Sequence, residues 1–232
     1  MQNLNIVFVG NSITYGAGLQ NPETEAPPVH ASAYLMKQPG IGKVNYSNQG
    51  RSGYTTVDFL PSGDTFKFVE EAANNFQKNN DGLLIFSIIL GTNDSAVKGP
   101  LGSPVSPDSY QQNLKTIANR LLKDYPECKI VFQHPLWYSP NTYNGAIYLQ
   151  EGLDRLISYF PKIDALVKSY AVKCPGRVFL GDTQAFMYYK KHYLTELQPE
   201  HGNQGIFYLH PNKKGAENLG YFWAKAIFKA IK

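Results

Sequence analysis

Four short stretches of the chain hold the residue types that acyl transfer through a serine requires. They are Ser12 within Gly10-Asn11-Ser12-Ile13-Thr14, Gly53 within Asn48-Gln49-Gly50-Arg51-Ser52-Gly53, Asn93 within Gly91-Thr92-Asn93-Asp94, and His210 ahead of Pro211-Asn212. A serine hydroxyl attacks an ester only when a base takes its proton, and His210 is the candidate base. The attack creates an oxyanion, which the Ser12 and Gly53 backbone N–H groups and the Asn93 amide could meet, each such donor typically worth ~3 kcal/mol in the transition state. Glycine at 53 allows close backbone approach and a positive φ. An amide at 93 offers a neutral donor where a carboxylate would repel the oxyanion. Singly, each residue has a plainer use: Ser12 as a helix cap, Gly53 as a turn, Asn93-Asp94 as a polar turn, His210 in a surface loop. Together they supply the separate parts of one site, provided the fold gathers them at one edge.

The elements that would gather them alternate along the chain. β-Rich apolar runs at residues 4–9, 44–47, 83–90, 129–132 and 177–180 read as strands, the third apolar throughout except for Ser87. Between and after them, residues 30–37, 66–77, 107 to about 122, 146–171 with a break at Pro161, and 183–192 read as helices. Ser106-Pro107 is a cap followed by proline at the first helical position, and Asn212 caps a last helix running to about residue 231. Residues 193–209 are expected to be loop. Strands alternating with helices, one of them apolar on both faces, predict a parallel sheet with helices on both sides. In such sheets ligands bind beyond the carboxyl ends of the strands. Ser12, Gly53 and Asn93 each follow a strand run closely.

The four blocks GNSIT, NQGRSG, GTND and LHPNKKG, in that order over nearly the whole chain, resemble those of the SGNH (GDSL-type) hydrolase family. The resemblance implies an α/β fold, a flavodoxin-like three-layer α/β/α sandwich of about five parallel strands, as one catalytic domain over residues 1–232. It implies ester hydrolysis without metal or organic cofactor, with Ser12 as nucleophile, His210 as base, and Ser12, Gly53 and Asn93 as oxyanion donors. The sequence departs from the family pattern twice. Asn11 stands where many members carry Asp, beside the nucleophile. Phe207 stands three residues before the histidine, where the family usually places Asp.

Phe207 cannot accept a hydrogen bond, so the support a histidine base draws from a carboxylate or carbonyl must come from elsewhere. Asp182 follows the fifth strand run, and Glu196 and Glu200 lie in the stretch leading to His210. A backbone carbonyl or water would also serve. Asp182 has a competing use as the cap of the helix beginning near Thr183. The expectation is a Ser12–His210 dyad with no dedicated acid at the usual position, supported by a carbonyl, Asp182 or Glu200. The same substitution motivates a rival reading, a weak or inactive carbohydrate-binding relative.

His134 follows the fourth strand run, and its loop carries Trp137, Tyr138 and Tyr143. These are candidates for substrate contact, or aromatics that simply cover a loop. Sixteen Tyr, 13 Phe and 2 Trp in 232 residues suit either core packing or flat hydroxylated ligands. The expected substrate is a small-molecule or oligosaccharide ester, a short acyl group such as acetyl on a carbohydrate or similar polar alcohol. A net charge of +4 without a basic block gives nucleic-acid binding no support, and no apolar run approaches the ~20 residues of a membrane span. There is no GxxxxGK[ST], and Asn21 stands where Gly16-Ala17-Gly18 would need a third glycine. Cys128 and Cys174 lack zinc spacing; they are either two free thiols or, in an oxidising compartment, a disulfide. The chain starts without a signal-like segment, so it is either cytoplasmic or a processed periplasmic or extracellular form.

Overall fold

The computed structural model describes residues 1–79 and 81–232. Five parallel strands form its centre: β1 (Gln2–Gly10), β2 (Ile41–Gly50), β3 (Leu83–Ile89), β4 (Lys129–Phe132) and β5 (Val178–Leu180), in the order β2-β1-β3-β4-β5. Every one was legible as a β-rich run. β1 and β3 are buried almost end to end because both lie inside the sheet with both faces covered.

The helices are α1 (Ser12–Tyr15), α2 (Pro22–Glu25), α3 (Pro27–Met36), α4 (Asp64–Asn79), α5 (Pro107–Asp124), α6 (Leu149–Ser158), α7 (Phe160–Lys173), α8 (Ala185–Glu196) and α9 (Lys213–Ile231). The chain winds from β1 outward to β2 and then back across to β3. With right-handed crossovers, this puts α3 and α4 on opposite faces of the sheet. The reversal makes the gap between the ends of β1 and β3 the switch point, where such folds open a crevice. Helix starts follow local chemistry: the Ser106 hydroxyl accepts from Ser109 N at 3.2 Å, and Asn212 Oδ1 accepts from Gly215 N at 3.0 Å. Pro161 separates α6 from α7 as expected, being tolerated at the start of the second helix.

One region departs from expectation. Residues 193–209, read as loop, finish α8 and then form an antiparallel hairpin, β6 (Leu197–Gly202) and β7 (Gly205–Pro211). Its signal was present in the sequence. Gly202 and Gly205 bracket a two-residue turn, and Phe207, Leu209 and Pro211 alternate as buried positions with more exposed Ile206, Tyr208 and His210. Both cysteines are free thiols, Cys128 buried and Cys174 half-buried, so the disulfide alternative does not hold. Burial pushes the Cys128 thiol up to about 11, which leaves it protonated and unreactive at neutral pH.

Candidate active site

The first strand ends at Gly10, where a Cβ would stand 2.0 Å from Thr14 Oγ1, so only glycine lets the chain turn straight into α1. Asn11 caps that turn, its Oδ1 accepting from Ile13 N at 3.0 Å. An amide oxygen performs this as a carboxylate would, which accounts physically for Asn at a position where many relatives of this pattern carry Asp. Ser12 follows, largely buried, with its Oγ 2.9 Å from His210 Nε2.

His210 reaches Ser12 from β7. Its Nδ1 lies 2.9 and 3.0 Å from the two Glu200 carboxylate oxygens, and its backbone N–H donates to Glu200 Oε1 at 3.1 Å. Glu200 sits on β6 directly across the ladder from Phe207. The carboxylate missing from position 207 is therefore supplied by the neighbouring strand. Of the supports expected for His210 in the absence of an acid at position 207, a carbonyl, Asp182 or Glu200, the structure places Glu200 against it, and the rival reading of an inactive relative loses the gap that motivated it. An ionised carboxylate only accepts, so the Nδ1 nitrogen carries the hydrogen and Nε2 is free to accept from the serine hydroxyl.

Gly53 has φ +81°, left-handed backbone with nothing within 4 Å of where a Cβ would be, so conformation and not crowding requires glycine there. The Ser12 and Gly53 N–H groups have no protein partner among the described residues. Asn93, just past β3, donates from Nδ2 to Tyr54 O at 2.8 Å and accepts at Oδ1 from the Tyr148 hydroxyl at 2.7 Å. Ser12, Gly53, Asn93 and His210 share one hollow of about 390 Å³. A larger hollow, about 520 Å³ between Tyr15 and Tyr46, contains none of them. The smaller hollow is where a base, a hydroxyl and three N–H donors converge, and that convergence is what acyl transfer needs.

The other expected contributors lie elsewhere. Asp182 accepts from Gln184 N and Ala185 N at 3.1 and 2.9 Å, capping α8, and burial pushes its carboxyl above the usual range. Glu196 is held by Tyr188, Asn218 and Lys214. Neither carboxylate supports His210. His134 bonds Asp164 at 2.9 Å and stacks on Phe160, so it does not face substrate. Trp137 and Tyr138 are core residues: Trp137 packs against Tyr193, and the Tyr138 hydroxyl meets Ser95 Oγ at 2.9 Å. The strand-end placement was right, but α7 packs on His134, Tyr193 of α8 on Trp137, and Tyr148 with the start of α6 on Tyr138. The residue that does line the hollow is Tyr148, which sequence reasoning passed over because nothing in its spacing set it apart from its neighbours.

Among the described residues, no group of three or more His, Cys, Asp or Glu is arranged to hold a metal ion, and no helix is long and apolar enough to cross a membrane.

The model of the GDSL-like Lipase/Acylhydrolase family matches residues 8–217. No curated protein matches in sequence. Among solved structures, the lipase/acylhydrolase from Enterococcus faecalis is similar at TM-score 0.62 and 18% identity, covering 98% of this chain and 95% of that one. Est24, described as a carbohydrate acetylesterase from Sinorhizobium meliloti, is similar at TM-score 0.61 and 17% identity, with 97% and 98% covered. The M. smegmatis aryl esterase follows at 0.62 and 16%, with 97% and 99% covered. At these identities the likeness carries the fold.

Proposed function

The chain belongs to the GDSL-like lipase/acylhydrolase family and is a carboxylic ester hydrolase, and we propose that it removes a short acyl group, acetyl first among them, from a carbohydrate or similar polar alcohol. Ser12 is the nucleophile in this reading. His210 Nε2 takes the Ser12 proton as Oγ attacks the ester carbonyl, and the resulting imidazolium is stabilised by Glu200. The Ser12 and Gly53 N–H groups and the Asn93 amide receive the oxyanion. Collapse of the tetrahedral intermediate breaks the ester C–O bond, with His210 returning the proton to the leaving alcohol. Water then repeats the sequence on the acyl-serine. The catalytic unit is taken as the whole of residues 1–232.

The observation that carries this reading is the continuous line from Ser12 Oγ through both ring nitrogens of His210 to Glu200, every step at 2.9–3.0 Å. A polar alcohol is supported by the Ser52, Asn93 and Asn144 side chains around the hollow and by the carbohydrate acetylesterase among the structural relatives. The aromatic loop no longer supports it, since Trp137 and Tyr138 are buried. A hydrolysis panel of aryl acetate, butyrate and longer esters beside acetylated sugars tests the proposal. Acetate should be favoured over butyrate by about tenfold or more, roughly what two methylenes of misfit can discriminate, and acetylated sugars should release acetate. Preference for long acyl chains, or no release from any acetylated sugar, would overturn the substrate class while leaving the serine chemistry standing.

A further inference from the structure

We propose that Tyr148 is a positioning residue, its hydroxyl locking the Asn93 amide so that one N–H stays aimed at the oxyanion. This rests on the reading of Asn93 as an oxyanion donor. An asparagine amide can turn over, exchanging its oxygen and nitrogen at little intrinsic cost, and only its partners decide the orientation. Here two partners decide it together. The Tyr54 carbonyl can only accept, so the atom 2.8 Å from it must be Nδ2. The atom 2.7 Å from the Tyr148 hydroxyl is then Oδ1, which can only accept, so the hydroxyl hydrogen is committed to it. One Nδ2 hydrogen is spent on Tyr54 and the other is left for the hollow. Because Tyr54 follows Gly53, the same amide also ties together two of the three oxyanion donors.

The surroundings of Tyr148 hold it for that task. Its side chain is buried, with the Tyr138 ring packed edge-on at 5.4 Å, and burial keeps the phenol protonated far above neutral pH. The N–H groups of Tyr148 and Leu149 both donate to Thr142 O at 3.2 Å. Leu149 has φ +56°, a left-handed conformation disfavoured for leucine, directly after the aimed residue. Such backbone persists only where the neighbours over-determine it. One turn on, Gly152 has no room for a Cβ, which would stand 2.8 Å from the Tyr138 hydroxyl. A hydrogen bond donated to Oδ1 also polarises the amide and strengthens the N–H that faces the oxyanion.

The test is a double-mutant cycle with aryl acetate. Tyr148→Phe keeps the ring and deletes one oxygen; it should lower kcat by about tenfold with KM within about twofold, as expected for a group that acts on the transition state. Asn93→Ala alone should lower kcat by roughly 10²-fold or more. With Asn93→Ala in place, adding Tyr148→Phe should change kcat by less than about twofold, because the hydroxyl then has no amide to orient. Losses that simply multiply, or a Tyr148→Phe enzyme with kcat within about twofold of the unsubstituted chain, overturn the proposal. Thermal melts accompany the cycle, and if Tyr148→Phe does not fold, Gly152→Ala, whose Cβ would press on the Tyr138 hydroxyl and so on the ring packed against Tyr148, replaces it with the same non-additivity expected. An Asn93→Ala enzyme with undiminished kcat would instead remove the oxyanion role itself, a distinct failure.

Discussion

Among the described residues two histidine–carboxylate pairs stand at the carboxyl edge of the strands, and they meet at the same distance. His210 and Glu200 meet at 2.9 Å, and His134 and Asp164 meet at 2.9 Å. The difference lies at the other ring nitrogen. His210 turns Nε2 to the Ser12 hydroxyl, whereas His134 uses Nε2 on Asp164 and lays its ring flat on Phe160 at 4.5 Å. The carboxylates differ too: Glu200 is 25% exposed and accepts from two N–H groups of His210, the backbone one and a ring Nδ1–H shared between both its oxygens, while Asp164 is 39% exposed and bonds through one oxygen. A paired imidazole becomes a base only when its second nitrogen meets a proton that must move. Otherwise the pair is packing with a polar tip.

Ser12→Ala gives the largest effect under this reading. Turnover should fall by about 10⁶-fold, toward the residual that oxyanion donors alone sustain, with the fold intact. A serine-directed fluorophosphonate should label the unsubstituted chain and not the variant; wild-type turnover in Ser12→Ala would break the contrast at its root. The same chemical change on the two carboxylates then separates the pairs. Glu200→Gln should lower kcat by about 10³–10⁴-fold, since the amide disfavours the required tautomer and cannot stabilise an imidazolium. A loss below about tenfold would mean that His210 works as a dyad after all.

A third carboxyl, Asp94, sharpens the comparison because it has no imidazole at all. It is buried beneath the site, with one oxygen bonded to the Thr56 N–H and hydroxyl and the other without a partner among the described residues. Burial raises its carboxyl to about 6, against the downward pull of those hydrogen bonds. The folded chain therefore holds a proton that the unfolded chain has released between about pH 4 and 6. Stability should fall as pH rises through that window, by about 3 kcal/mol from this group, and level off above it. Thermal melts against pH measure this, and Asp94→Asn should flatten that part of the curve. An unchanged slope in Asp94→Asn would assign the dependence to another group. The smallest effect belongs to the second pair: Asp164→Asn should leave kcat within about twofold and cost about 1 kcal/mol or less, a few degrees of Tm. A large loss of turnover there would return His134 to the site.

Much of this was legible in the residues because it depends on local chemistry. Gly10 before Ser12, Ser106-Pro107, Asn212 and the apolar 83–90 run announce their turns, caps and strands through forces acting within a few positions. The five strands and the edge on which Ser12, Gly53 and Asn93 collect followed from hydrophobic pattern and from the winding of parallel sheets, whereas His210 arrives on β7 of a hairpin read as loop. What the residues could not decide was pairing across distance. Glu200 was one of several carboxylates in reach, and only the β6–β7 register, which sets it opposite Phe207, selects it over Asp182 and Glu196. His134, Trp137 and Tyr138 stand at a strand end in sequence yet face inward, because Phe160, Tyr193 and Tyr148, which pack on them, come from later elements of the chain. Tyr148 had no local mark, since its value lies in the amide it touches 55 residues away. Residue types set which chemistry was available; long-range packing set which of two like histidines carries it, because a side chain's partners are fixed by elements that the local sequence does not contain.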